Sequence, residues 1–240
     1  MELKEIGWEG FSGVEFEYDG MPAYLIRPSG ASNGKWAYKT EYFGAFPETE
    51  KELLRRGYHI AFNKNIDRWG EPYDLSRKIE FMRLVSREFG LSSKCSMVGM
   101  SCGGMYAIKL AALVPELVSC LYLDAPVVNF LSCPFGLGKA IDTIREEYVR
   151  ITGRDIPEML AYRDHPLDKI PTLAKHNIPV ILVAGDSDKV VPFEENGALI
   201  ESYYRREGCP IEVYIKPGCD HHPHGLDDPS IVADFIDKHS

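Results

Sequence analysis

Residues 14–27, VEFEYDGMPAYLIR, alternate apolar and polar positions with a period of two on either side of Asp19-Gly20. That dipeptide favours the positive backbone dihedrals of a tight turn, so the stretch predicts a β-hairpin. Beyond it, short apolar runs trade places with helical spacing. WAYKTEYF (36–43) and YHIAFNKN (58–65) read as strands, and ETEKELLRRG (48–57) between them reads as a helix closed by glycine. Residues 74–89 place Leu75, Ile79, Met82, Leu84, Val85 and Phe89 at helical spacing, with Asp74 as N-cap and Gly90 beyond the end. KCSMVGM (94–100), VSCLYLDAP (118–126), IPVILVAGDSD (178–188) and PIEVYIKPG (210–218) are strand-like. CGGMYAIKLAALVPELV (102–118) is helical, and further helices are expected at 194–207 and 229–238.

Strand and helix alternate from residue 36 onward. Short parallel strands joined by helices require right-handed crossovers and a sheet covered on both faces, which is the α/β class. The leading hairpin would add antiparallel strands at one edge. Residues 127–177 break the alternation: they hold a helix-like run at 139–152 and a polar stretch, YRDHPLDKIPTLAKHN, with no strand. An insertion of that length and apolar content predicts a small helical cap within a single domain spanning 1–240.

Composition narrows the function classes. A net charge of -9 argues against nucleic acid or an anionic membrane as partner. No apolar run is long enough to span a bilayer, and the opening MELKEIGWEGF lacks the basic and apolar regions of a signal peptide, so a cytoplasmic location is expected. The six cysteines (95, 102, 120, 133, 209, 219) form no CxxC pair and read as reduced, packed thiols. A small-molecule partner and no cofactor are expected, and a homo-oligomer is left open.

The chemistry begins at MVGMSCGGM (97–105), which contains G-x-S-x-G between a predicted strand and a predicted helix. Glycines at 99, 103 and 104 suit a sharp strand-to-helix turn that projects Ser101 from the sheet, with a helix N-terminus behind it. The competing reading is a glycine-rich turn with an incidental serine. A serine nucleophile needs a base of suitable pKa and a carboxylate to orient that base. Both types appear at later strand ends: Asp186 and Asp188 in DSDKVVP, and His221, His222 and His224 in CDHHPHG. Asp124, closing CLYLD, is a third candidate acid. In an open parallel sheet, these strand ends are where ligands bind.

The chain resembles the α/β-hydrolase superfamily in its order Ser…Asp…His. More narrowly it is similar to small serine esterases with a GDxDxVVP acid loop and a GHHPH-type histidine loop, here GDSDKVVP and CDHHPHG. The resemblance implies a mostly parallel twisted sheet with helices on both faces. It implies Ser101 as nucleophile, Asp188 as acid and His221 as base. Asp220 stands where the family pattern has glycine. The backbone N–H of Cys102, with that of Tyr42 or Glu41, would form the oxyanion hole. His222 and His224 read as supporting residues. A metal reading of the three histidines lacks the helical spacing of HExxH and a complementary cluster upstream. His59, His165 and His176 read as core or surface histidines. Arg68, Trp69, Asn129 and Phe130, with Leu131 and Phe135, are candidate substrate-lining residues. The function implied is hydrolysis of a small carboxylic ester, such as a carbohydrate acetate, through an acyl-serine. A serine peptidase of the prolyl-oligopeptidase kind and a non-catalytic ligand-binding relative are the alternatives.

Overall fold

The computed structural model describes residues 1–141 and 144–240. Nine strands form one sheet: β1 (Lys4–Trp8), β2 (Phe11–Tyr18), β3 (Met21–Ile26), β4 (Trp36–Lys39), β5 (His59–Asn63), β6 (Cys95–Met100), β7 (Val118–Asp124), β8 (Val180–Gly185) and β9 (Ile211–Lys216). Their spatial order is β1-β2-β3-β5-β4-β6-β7-β8-β9. The first three strands are antiparallel and join the sheet through β3 against β5, while β5 to β9 with β4 are parallel. The expected hairpin is present, and β1 extends it to a third strand that the sequence reading missed. Its burial alternates weakly, because it is an exposed edge.

The described residues also form eight α-helices: α1 (Glu48–Arg55), α2 (Pro72–Phe89), α3 (Cys102–Leu113), α4 (Arg145–Thr152), α5 (Ile156–Ala161), α6 (Ile170–Lys175), α7 (Gly197–Glu207) and α8 (Ser230–His239). The continuous apolar runs resolve into two faces. In β8, Val180 and Leu182 join the core beneath α2, α3, α6 and α7, whereas Ile181 and Val183 join the core beneath α1 and α8. This is the period-two geometry of a strand buried on both sides. Helix α3 lies at the centre, with Met105, Tyr106, Ile108 and Leu110 fully buried.

Several boundaries differ from the sequence reading, and the helix expected over 102–118 ends at Leu113. Helix α2 starts earlier: Glu71 is its N-cap and Pro72 its first residue, because proline needs no N–H partner there. Asp74 is instead a buried first-turn residue, ion-paired with Arg77 at 2.7 Å and accepting from the Tyr106 hydroxyl at 2.6 Å. The strand at 36–43 stops at Lys39, and Thr40–Phe43 turns away as a loop. The insertion at 127–177 is ordered where described, with α4, α5 and α6. The helix expected over 139–152 begins only at Arg145, and Asp142 and Thr143 of that expectation lie outside the described residues.

Candidate active site

The glycines of MVGMSCGGM are required by contact. A Cβ at Gly99 would lie 2.7 Å from the Gly103 carbonyl oxygen and from the Gly104 Cα, and one at Gly104 would lie 2.8 Å from the Pro126 Cα. Strand β6 and helix α3 thus approach backbone to backbone. Ser101, between them, is held at φ 51° and ψ -120°, a region that side chains rarely occupy. Its N–H donates to the Asp124 carbonyl at 2.9 Å, and its carbonyl accepts from Gly104 and Val127, each at 3.0 Å. Neighbouring backbone therefore fixes the strained residue from both sides. Gly104→Ala is expected to destabilise the fold by about 1–3 kcal/mol, as overpacking does, because Pro126 is backbone-fixed and cannot yield. Chemical denaturation of the variant checks this, and an unchanged midpoint would contradict it.

Ser101 Oγ lies 3.0 Å from Nε2 of His221, and Nδ1 of His221 lies 2.7 Å from Asp188 Oδ2. Of the three carboxylates weighed for the acid, only Asp188 reaches His221. Its other oxygen accepts from the Val190 and Val191 N–H groups at 2.8 Å each. Burial would raise its pKa. The bonds from His221 and the two N–H groups outweigh that and hold the carboxyl below the usual aspartate range.

Asp186 and Asp220 stitch together the loops that carry Asp188 and His221. Asp186 accepts from the Gly218 N–H at 2.7 Å, and the Ser187 N–H donates to the Cys219 carbonyl at 3.0 Å. Asp220 accepts from its own neighbour, the His221 N–H, at 2.7 Å and from the Lys189 N–H at 3.2 Å. The carboxylate that replaces glycine beside His221 thus ties the histidine loop to the Asp188 loop.

Asp124 serves a second imidazole. Nδ1 of His224 lies 2.7 Å from Asp124 Oδ1, while Oδ2 accepts from the Gly225 N–H at 2.7 Å and the Tyr122 hydroxyl at 2.9 Å. Burial raises this carboxyl, but His224, Gly225 and Lys216 bring it below its ordinary value. A buried partner for His224 was absent from the sequence reading. The signal lay in Asp124 ending β7 beside the turn that carries Ser101, and no sequence spacing links it to residue 224. His222 is the exposed member of the trio, and the partial burial of its ring, with two further imidazoles beside it, pushes its pKa down.

Ser101 and the histidines open into a cavity of about 330 Å³. Tyr42, Cys102 and Arg68 line it, with apolar walls from Phe46, Ile144 and Val190. Tyr42 holds φ at 56°, which turns the loop after β4 across the site. Glu41 turns away from the cavity towards the Asn65 amide, and burial pushes its carboxyl up to about 7 despite nearby Lys78. The Cys102 thiol is fully buried and its pKa is pushed up to about 11, a packed group rather than a reactive thiolate. Arg68 ion-pairs with Glu147 of the cap at 2.9 Å.

The other expected lining residues lie elsewhere. Trp69 is fully buried, edge-on to Tyr148 at 4.9 Å and to Phe130 at 6.5 Å. Phe130 and Phe135 are equally buried and pack on the same Tyr148. Asn129 folds onto its own loop, accepting from the Leu131 N–H at 3.1 Å. These aromatics pack the loop after β5 and the start of the insertion against Tyr148 of α4, and leave Arg68 as the member of that set on the cavity wall. His59 is half-buried, and His165 accepts from the Phe130 N–H through Nδ1 at 3.2 Å.

Residues 57–239 match the family model described as the prolyl oligopeptidase family. Solved structures share the fold. A puromycin-hydrolysing peptidase from Mycobacterium tuberculosis superposes with a TM-score of 0.72 at 14% identity, covering 94% of this chain and 38% of that one. Pyrococcus horikoshii acylaminoacyl peptidase gives 0.73 at 11% identity, covering 99% and 42%. Porphyromonas gingivalis dipeptidyl peptidase 4 gives 0.68 at 12% identity, covering 100% and 35%. The chain therefore spans about two fifths of the length of these structures, and the likeness establishes the α/β-hydrolase fold. Among the described residues, no helix is long and apolar enough to cross a membrane.

Proposed function

Because the chain belongs to the prolyl oligopeptidase family, and is a serine hydrolase of that type, we propose that it cleaves a short acyl–amide bond in substrates that carry no free ammonium group next to the scissile bond. The observation that carries this is the cavity wall. Among the described residues lining it there is no carboxylate, while Arg68, His222 and His224 are present. A free α-amine would bring a positive charge to a wall whose described lining offers no carboxylate to pair with it directly, and an unpaired desolvated charge is costly. A blocked, neutral or anionic acyl group meets no such penalty.

In this reading Ser101 attacks the carbonyl carbon while its proton passes to Nε2 of His221. Asp188 holds Nδ1–H and stabilises the imidazolium. The carbonyl oxygen becomes an oxyanion facing the Cys102 N–H at the start of α3, with Tyr42 supplying the loop side of the hole. The imidazolium then protonates the leaving nitrogen. Water attacks the acyl-serine by the same route in reverse, and returns the enzyme with the Ser101 proton restored.

A short carboxylic ester is the second reading, favoured by the size of the cavity. About 330 Å³ accommodates an acetyl group and a single ring rather than an extended peptide. Three substrates separate the two readings: an N-acetyl-aminoacyl p-nitroanilide, the same anilide with a free amine, and p-nitrophenyl acetate. We expect kcat/KM for the blocked anilide to exceed that for the free amine by at least about tenfold, the worth of one unpaired buried charge-sized penalty. Equal rates on the two anilides would refute the proposal. Turnover of the ester alone would favour the esterase reading.

A further inference from the structure

The histidine loop brings three imidazoles together, and only one of them belongs to the relay. One ring nitrogen from each of His221, His222 and His224 lies within 4.8 Å of one from each of the others. The rings pack edge to face, with centroids 4.8 to 5.0 Å apart. Each ring is oriented from behind. His221 is held by Asp188 and His224 by Asp124, both through Nδ1 at 2.7 Å. His222 is stacked on Phe46, with centroids 5.5 Å apart and planes 14° apart, and the same phenyl meets His224 edge-on at 5.3 Å.

Two of these imidazoles therefore show the carboxylate–histidine arrangement that orients metal-binding histidines: Nδ1 is given to a buried carboxylate, which leaves Nε2 as the coordinating nitrogen. On His221 the presented Nε2 is the atom that faces Ser101. We propose that His221, His222 and His224 bind one divalent transition-metal ion of the zinc class, and that the bound ion removes His221 from the relay and switches the hydrolase off.

The donor set fits that class. Three neutral imidazoles with a water in the fourth position form a recognised zinc arrangement, and imidazole also suits cobalt, nickel and copper. Zinc–nitrogen bonds of about 2.0–2.1 Å put tetrahedral nitrogens roughly 3.4 Å apart, so nitrogens now up to 4.8 Å apart must close by up to about 1.4 Å. The exposed His222 can supply part of that movement, because among the described contacts its ring is held only by packing on Phe46, His221 and His224. Asp124 and Asp188, buried behind two of the ligands, offset the charge of the ion. The nearby cation Arg68 is already paired with Glu147. No bond is made or broken in the switch beyond coordination: Nε2 of His221 exchanges the Ser101 hydroxyl for the metal.

The test begins with the Ser101→Ala chain, which keeps all three histidines and needs no turnover. Its result is thus independent of the function proposed above. Titrated with cobalt(II), this chain is expected to bind one ion and to develop the visible absorption of nitrogen-coordinated cobalt, which zinc then displaces. Adding His222→Ala, or separately His224→Ala, is expected to weaken cobalt affinity at least about tenfold, and Asp124→Asn about tenfold through loss of the orienting carboxylate. In the active chain, zinc at ten times its Kd is expected to lower turnover about tenfold, with recovery on adding EDTA. No cobalt absorption at millimolar metal would overturn the proposal. So would affinity unchanged by removing both His222 and His224, or an intense near-ultraviolet thiolate band assigning the ion to Cys219.

Discussion

Ser101→Gly is expected to abolish turnover and to raise the melting temperature in the same variant. Ser101 sits at φ 51°, ψ -120° because the turn from β6 into α3 leaves no other course for the chain. Backbone strain of this kind costs about 1–3 kcal/mol at a residue with a Cβ. Glycine removes most of that cost and gives back part of it as chain entropy in the unfolded state, for a net gain of about 1 kcal/mol. In a chain of this length that gain corresponds to roughly 2–4 °C. Ser101→Ala keeps the Cβ and hence the strain, so its melting temperature should stay near that of the parent. Both variants lose the attacking oxygen, and kcat should fall by about 10⁴-fold or more. Calorimetry of the three chains, beside turnover of a chromogenic ester, separates the effects. A glycine variant that melts below the alanine one would show that the turn is not strained. Retention of more than a few per cent of turnover would remove Ser101 from the chemistry.

That pairing shows why the turn was readable from sequence. Three glycines around one serine signal close approach whatever lies opposite: Gly99 meets Gly103 and Gly104 of its own turn, Gly103 meets Thr40 and Glu41, and Gly104 meets Pro126. The parallel strands were equally legible, because continuous apolar runs flanked by glycine and aspartate leave few alternatives. What escaped was non-local. Nothing in the sequence distance of 100 residues links Asp124 to His224, and nothing in DRWGEP shows that Trp69 turns inward to Tyr148 while Arg68 turns outward. Adjacent residues in a loop need not share a face, since a loop has no fixed period. Strand β1 was missed for the opposite reason, as an edge strand carries little of the alternation that burial imposes.

Asp220 shows how a departure from pattern acquires a cause once geometry is known. Glycine beside the base would leave the histidine loop freer. The aspartate instead binds the Lys189 N–H, one residue beyond Asp188. Gly185 permits the same approach from the other strand end, since a Cβ there would lie 2.7 Å from the Asp220 carbonyl. Asp188 and His221 are therefore placed by one interlocked pair of loops at the ends of β8 and β9. The relay distance is set by backbone hydrogen bonds as much as by the side chains that form it.

Asp188→Asn is the substitution that tests the relay itself, with an expected loss of about 10⁴-fold in kcat and little change in KM. The amide preserves shape but carries no charge to stabilise the imidazolium. Its NH₂ group can also donate to Nδ1, which would leave the proton on Nε2, where it cannot accept from Ser101. Asp124→Asn is the matched control: equally buried, equally paired to an imidazole, yet paired to His224. It should cost no more than about tenfold in kcat, because that imidazole does not contact Ser101 in the described structure. The two variants also differ from the parent in acid. The Asp188 carboxyl is held below its ordinary value of 3.8, so its ionised form adds stability that is fully present above that pH and is lost as pH falls through the lower folded value. Asp188→Asn removes this contribution, so its stability should fall less steeply below pH 3.8 than the parent's. Equal kinetic losses in the two variants would mean that either carboxylate serves the base. A full loss in Asp124→Asn with activity kept in Asp188→Asn would transfer the acid to the end of β7.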